Sequence, residues 1–410
     1  MSRAKAKPQP WWRTMGPGIV SGASDNDPTT VASLAVIGST TTYALGWLVI
    51  LVIPMLAVIQ AISSSVGAVT RKGLERVLRD RYGPGIALLA LTTVLAVNVL
   101  TLAADLEGGG AAVQVLTGLD YRWFIVPLAA GAAAALIFGN FAKVQRVLVY
   151  LPLLFLAYVG AAFFAHPNWH DVLLASLVPH LQFNKTFAAG AIALLGTTLT
   201  AYAYVWQTIE IAEEKPPLSR LGLVQADAVL GVVIAGATFW FIVVATGATL
   251  GIHHKTVETA QDAASALAPI AGHWASLIFG IGLLGSSLIA VPVLGATCAY
   301  VSSDMFGWRG SIDRDFWHAK KFYISLIASM AAGCAIALVG ISPIKLLFAS
   351  SIAGGIATPV TLGLLMAVAH DRHVMKAHRP KLATLVAGWS VFGVVTLATG
   401  FYLYQTFTGH

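Results

Sequence analysis

The chain has 410 residues, of which 57% are hydrophobic and only 10% charged, with a net charge of +7 and a mean hydropathy of +0.77. A soluble domain carries about 25% charged residues, so this composition excludes a soluble globular protein and implies one built into a lipid bilayer. In such a chain the basic excess first reports orientation, and no nucleic-acid partner is expected.

In chain order, residues 1–13 open a basic, tryptophan-rich segment, "MSRAKAKPQPWWRTMG". It lacks an apolar core followed by a small-residue cleavage site, so it reads as a cytosolic arm and not a signal peptide. Apolar runs of about 20 residues, enough to cross a bilayer, then follow one another with short polar connections. Eleven spans are expected, near 14–42, 46–69, 85–117, 122–140, 146–165, 187–208, 221–250, 274–302, 320–340, 343–368 and 382–404.

With the N-terminus inside, the cytosolic segments are the arm, 71–81, Lys143 with Arg146, Lys215 with Arg220, 309–321 and 372–381. They hold 21 of the 25 Lys and Arg, and only Arg122, Lys185, Lys255 and Lys345 fall outside. This asymmetry predicts a multi-pass cell-membrane protein with a cytoplasmic N-terminus and an extracytoplasmic C-terminus. Cys298 and Cys334 both lie in apolar runs, which argues for packing and against a disulfide framework.

Two spans are interrupted. The first contains Ser24-Asp25-Asn26-Asp27-Pro28-Thr29-Thr30. Pro28 disfavours helix at Asp27, so a break is expected just before it. Non-helical backbone at membrane depth is tolerated only where it is buried in protein or lines a cavity. The second interruption, five spans later, is "GAIALLGTTLTAYAYVWQTIEIAEEK", where Gly196, Thr197, Thr198 and Thr200 form a small hydroxyl-rich patch ahead of Tyr202, Tyr204 and Gln207. Discontinuous helices in corresponding places of two halves point to the binding site of a transporter built from inverted repeats. The expected organisation is a first repeat at 14–165 (spans 1–5), a second at 187–368 (spans 6–10), and an eleventh span at 382–404.

Ionisable residues inside spans are functional candidates by default. Asp27 stands at the break, beside Thr29, Thr30 and the carbonyls of Ala23 and Ser24, a set of oxygen donors suited to a hard cation. Asp25 lies about 200° round a helix from it and reads as a support or cap for the broken end. Asp105 and Glu107 lie in "AADLEGGG" of the third span, whereas Glu210, Glu213, Glu214 and Asp227 sit near span ends. Two connectors, "TRKGLERVLRDRYG" and "HHKTVETAQDAASALAPIAG", read as an amphipathic cytosolic segment and a helical outer loop, with no chemistry assigned to either. The histidines of "HDRHVMKAHRPK" read as part of a solvated loop. No deep histidine or thiol is paired as a nucleophile would need, so an enzyme is not expected.

The first span, "GPGIVSGASDNDPTT", resembles that of the Nramp-type divalent-metal transporters, whose motif is Asp-Pro-Gly-Asn. "AADLEGGGAAVQVL" and "LGTTLTAYAYVWQ" are similar to the family's third and sixth spans, and the likeness runs in span order over essentially the whole chain. It implies an all-α LeuT-like fold of ten core helices in two inverted repeats plus one extra helix, working by alternating access as a secondary transporter without a cofactor. Carried over by position, the metal-binding aspartate falls on Asp27, the motif's glycine and asparagine on Thr29 and Thr30, and the sixth-span Met-Pro-His on Thr200, Ala201 and Tyr202. The carbonyl ligands fall on Ser24 and Thr197. The third-span Asp matches Asp105 and its Glu matches Gly108, with Glu107 beside it, while a tenth-span Gln corresponds to Ser351.

The resemblance thus implies a substrate site of Asp27, Thr29, Thr30, Ser24, Thr197, Thr200 and Tyr202, with Asp27, Thr30 and Thr200 as metal ligands. Asp25, Asp105, Glu107, Gln207 and Ser351 are implied in coupling or gating. Replacing a thioether by a hydroxyl removes the preference for soft metals, and replacing the histidine removes a group that titrates near neutral pH. The expected cargo is therefore a small inorganic ion, most plausibly Mg²⁺ and less selectively Mn²⁺, with a proton or another ion as the coupling partner. A small anion such as bicarbonate is the runner-up, because half-helix N-termini and hydroxyl donors would face it.

Overall fold

Apolar runs this long can satisfy their backbone groups in lipid only as helices, and the computed structural model of the protein, which describes residues 26–139, 150–308, 310–312 and 316–408, is predominantly helical over those residues. In chain order the helices are α1 (Pro28–Thr41), α2 (Gly46–Thr70), α3 (Leu74–Tyr82), α4 (Pro84–Thr117), α5 (Arg122–Ile137) and α6 (Ala157–Phe164, entered through a 3₁₀ turn at Pro152–Leu156). Then come α7 (Trp169–Leu177), α8 (Lys185–Thr198), α9 (Ala201–Glu214), α10 (Leu221–Thr249), α11 (Ala260–Ser265) and α12 (Ala268–Ala271). The last are α13 (Ala275–Phe306), α14 (Lys320–Ala337), α15 (Pro343–His370), α16 (Arg372–Met375) and α17 (Leu382–Thr408).

Each expected span has a helix among the described residues. Eight stretches are long and apolar enough to cross a membrane, taking α8 and α9 as one, with α5 and the segment Leu153–Phe164 as shorter apolar helices. The first half of the opening span, with Ser24 and Asp25, lies outside the described residues.

Local chemistry sets the ends. Helix α4 begins on Pro84, whose missing N–H costs nothing at a first helical position, and it ends on Gly118 at φ 77°, the left-handed conformation in which glycine carries no Cβ penalty. Its length carries it along α13, and this pair forms one side of the core, while α2 packs with α10 and α8 with α15. The α8–α15 contact is backbone to backbone. A Cβ on Gly196 would collide with the Ser351 carbonyl and with the backbone of Gly355, the close approach that small residues permit between membrane helices. The broken pair α8–α9 is 83% buried over its most apolar window, against 28% for α17, so the interrupted helix lies inside the bundle and α17 at its periphery.

The connections gather at two ends. At the basic end, Arg71 donates to the Pro216 carbonyl at 2.8 Å, Arg79 to that of Met305 at 3.0 Å, and Arg81 to Asp371 at 2.6 Å. At the opposite end, Tyr121 donates to the Ile341 carbonyl at 3.2 Å and the Val257 amide to Ser39 Oγ at 3.2 Å. The expected helical loop there contains α11, closed by a reciprocal capping box between Thr259 and Asp262. The 71–81 connector is amphipathic as expected, but its inward face, formed by α3, carries Glu75 at 0% exposure among Leu74, Val77 and Leu78.

Candidate functional site

The two interruptions meet. Asp27 is the N-cap of α1, with φ −69° and ψ 164°, and its Oδ1 accepts the Thr30 amide at 2.6 Å while Pro28 takes the first helical position. The second break falls at Leu199 and Thr200. Leu199 ends α8 by bonding back to the Leu195 carbonyl, and Thr200 turns extended at ψ 143° before α9 begins. The carbonyl of Leu199, freed by the break, accepts the Thr358 hydroxyl of α15 at 3.2 Å.

The N-termini of α1 and α9 therefore face the same region, where partial positive charge accumulates. Tyr202, in the first turn of α9, donates to Asp27 Oδ2 at 2.6 Å, and Thr30 Oγ1 pairs with Thr197 Oγ1 at 2.8 Å. Asp105 on α4 is tied to the same turn of α1: its Oδ1 accepts the Thr29 amide at 3.1 Å and the Thr29 hydroxyl at 2.5 Å. Two carboxylates thus flank the first turn of one half-helix, Asp27 at 1% and Asp105 at 0% exposure. No ion pair reaches either of them among the described residues.

A cavity of about 10 Å³ opens beside Asp27, lined by Asp27, Thr29, Thr101, Gly196, Thr197, Thr200, Tyr202, Ser350, Ser351 and Gly354. That is about the room one water-sized particle needs. Among the described residues the lining holds one carboxylate, one phenol and a ring of hydroxyls, with no sulfur and no imidazole. No cluster of three His, Cys, Asp or Glu suited to a metal occurs among the described residues. Such a donor set is hard and oxygen-only, the kind Mg²⁺ takes together with its own waters.

Of the residues implied by the sequence, Asp27, Thr29, Thr197, Thr200, Tyr202 and Ser351 line this cavity, and Thr30 lies one step behind it, paired with Thr197. Ser351 bonds Ser33 at 2.7 Å, which joins α15 to α1. Asp105 stands behind Thr29. Glu107 and Gln207 are not brought to the cavity. Glu107 is fully buried on α4 with neither carboxylate oxygen hydrogen-bonded among the described residues, and Gln207 donates to Ser64 Oγ at 3.2 Å further along α9.

Sequence reasoning missed Thr101 and Ser350, which line the cavity and bond each other at 3.0 Å. It also missed Ser286, which holds the Asn26 carbonyl at 2.6 Å, and Ser287, which holds that of Asp105 at 2.8 Å. The adjacent serine pairs at 286–287 and 350–351, each in the middle of an apolar run, were the available signal.

With this geometry in place, the likeness to known proteins has a physical subject. The family described as "Natural resistance-associated macrophage protein-like" (Nramp) matches residues 18–405. The chain is 26% identical to the divalent metal cation transporter MntH of Deinococcus radiodurans over 411 residues, covering 96% of this chain and 90% of that protein. It is 27% identical to MntH 1 of Pseudomonas aeruginosa over 421 residues, covering 96% and 91%. Among solved structures, a manganese transporter of Eremococcus coleocola superposes with a TM-score of 0.76 at 14% identity, over 97% of this chain and 88% of that one. The inward-facing conformation of Mhp1 superposes with a TM-score of 0.53 at 14% identity, over 100% and 96%. The fold is therefore the LeuT-like, all-helical transporter fold, and the chain belongs to the Nramp family of membrane transporters.

Proposed function

We propose that the protein moves a divalent cation across the membrane by alternating access, Mg²⁺ foremost and Mn²⁺ less selectively, with Asp27 as its charged ligand and Thr197, Thr200, Thr30 and Tyr202 around it. The observation that carries this reading is the pair of buried carboxylates, Asp27 and Asp105, with no ion-pair partner among the described residues, at the junction of two broken helices. An uncompensated buried carboxylate is costly, and a mobile cation supplies the missing charge. MntH relatives are named divalent metal cation transporters. This site keeps the carboxylate of such a protein but offers hydroxyl oxygen where softer donors would select transition metals.

In the conformation described, Tyr202 occupies Asp27 Oδ2 and the cavity takes about one water-sized particle, so a cation that retains several waters enters only after Tyr202 swings away. Gly196, in the tight α8–α15 contact, lines the cavity on the side of α8, whose chain arrives from the 166–184 loop. We place that loop outside the cell and the basic end in the cytoplasm, with repeats at 14–165 and 187–368 and a peripheral span at 382–404. A bicarbonate cargo would have to approach two carboxylates, which the same geometry disfavours.

The test is uptake of Mg²⁺ and Mn²⁺ into proteoliposomes. Asp27→Asn is expected to lower initial rates at sub-saturating metal at least about tenfold, because a hydrogen-bonded charged contact contributes about 1.5–3 kcal/mol and 1.4 kcal/mol is a factor of ten. Unchanged uptake in Asp27→Asn, or labelled bicarbonate counter-flow without metal flux, would refute the reading.

A further inference from the structure

Another place where the protein buries a carboxylate lies on α3 at the basic end. Glu75 is 0% exposed and, apart from its own backbone amide, neither of its oxygens has a hydrogen-bond partner among the described residues. An acid in that position needs either a cation or a proton. Its surroundings decide between them.

Asp304 on α13 lies close enough to repel it, with its carboxylate pressed against the backbone of Gly73, where a Cβ would collide with Oδ2. From α9 the facing groups are the Tyr204 phenol, bonded to Thr361 of α15, and Glu213, which acts on Asp304 and accepts the Tyr300 hydroxyl at 2.9 Å. The cations, Arg76 and Arg79, stand on α3 itself and act on Asp304, together with the acid Asp80. They offset part of the Asp304 charge, and cations so close make the pocket inhospitable to a metal ion. Glu75 is left with none of its own among the described residues.

We propose that Glu75 is a proton-binding site, and that α3 docks on the end of the bundle with Glu75 protonated and releases that proton to the basic-end solution when it undocks. The direction follows from linkage. In the docked state, burial, and to a lesser degree the Asp304 charge, push the Glu75 carboxyl up from 4.5 to about 8. Once undocked, the group meets water and returns to the ordinary carboxylate range. Docking is therefore fully favoured below about pH 4.5, loses up to about tenfold in its equilibrium constant per pH unit between there and about 8, and loses nothing further above. Within that window each docking takes up one proton. The consequence for transport rests on the alternating-access reading above: opening the bundle end beneath α9 and α13 carries a proton step even though the site itself lacks an imidazole.

Hydrogen–deuterium exchange of residues 74–82 in nanodiscs tests the proton site without any substrate. Wild type and Glu75→Gln, compared at the same pH so that intrinsic exchange cancels, are expected to match at pH 5, with the wild type exchanging at least about tenfold faster at pH 8. Asp304→Asn, which removes the repelling charge but keeps the acid, is expected to extend wild-type protection to higher pH, and it serves if Glu75→Gln fails to fold. In proteoliposomes, Glu75→Gln is expected to retain metal uptake at pH 5.5 and flatten its decline or rise towards pH 8. Equal exchange in wild type and Glu75→Gln at both pH values, or no shift in Asp304→Asn, overturns the proton site. Altered exchange with a wild-type uptake profile overturns its role in transport, whatever the cargo proves to be.

Discussion

Two of the places where the protein removes carboxylates from water surround them in opposite ways. At the junction of the broken helices, Asp27 accepts hydrogen bonds on both oxygens, from Thr30 and Tyr202, and Asp105 accepts two from Thr29 on one. At the basic end, Glu75 accepts none from any other of the described residues. Hydrogen bonds from hydroxyls and amides favour the ionised form of an acid, whereas burial without them favours the neutral form. At the first place the donors orient carboxylate oxygens beside a cavity that can admit a cation, and at the second the bare acid is placed to hold a proton. Similar burial therefore leads to different chemistry through the donors that surround it.

The sharpest way to break the comparison is to neutralise each acid in turn. At pH 5.5, Asp27→Asn should depress uptake at least about tenfold while Glu75→Gln retains it, and a reversal of that order in transport assays would undo the distinction. A smaller effect is expected from Thr200→Met, which places a soft sulfur in the cavity. It should raise Cd²⁺ uptake relative to Mg²⁺ by about tenfold, equivalent to about 1.4 kcal/mol of differential binding, as read in competition assays.

Thr29→Val keeps the shape and the backbone amide but removes the hydroxyl that holds Asp105. A loss of about 1–3 kcal/mol is expected for the deprived acceptor, seen as a lower melting temperature with Asp27 still competent to bind metal. Least of all should follow from Arg81→Ala. Its partner Asp371 is held below the usual carboxylate range chiefly by the Arg81 hydrogen bond, yet the Arg81 side chain is 44% exposed against 10% for Asp371, and an ion pair with one arm in solvent contributes little. Thermal stability and the uptake pH profile should both remain at wild-type values.

Much of the site was legible because its signals are local. Pro28 disfavours helix at Asp27, so the start of α1 and its capping carboxylate were readable from two residues. Span lengths and the segregation of Lys and Arg follow from bilayer thickness and topology, and outside the first, fifth and sixth expected spans the described helices begin and end within a few residues of the expected bounds. The second break, with no proline to enforce it, was legible through Gly196 and the threonines, and the structure puts it at Leu199–Thr200.

What remained hidden depends on partners far away in sequence. Hydroxyl residues are common in membrane helices and bond back to their own carbonyls, as Thr198 does to Leu194, so nothing local separates that behaviour from Thr101 meeting Ser350 across the bundle. Glu75 carries the same ambiguity. In "GLERVLRDRYG" it looks like one more charge on a solvated connector, because its neighbours Leu74, Val77 and Leu78 fix which face of α3 turns inward but not what waits there. By itself the sequence determined the spans, their breaks and the aspartate at the first of them, since those follow from backbone hydrogen bonding in lipid. Only the tertiary structure decided which carboxylates acquire donors and which are left bare, because that depends on helices brought together from 76 residues apart, as for Thr29 and Asp105, to more than two hundred, as for Glu75 and Asp304.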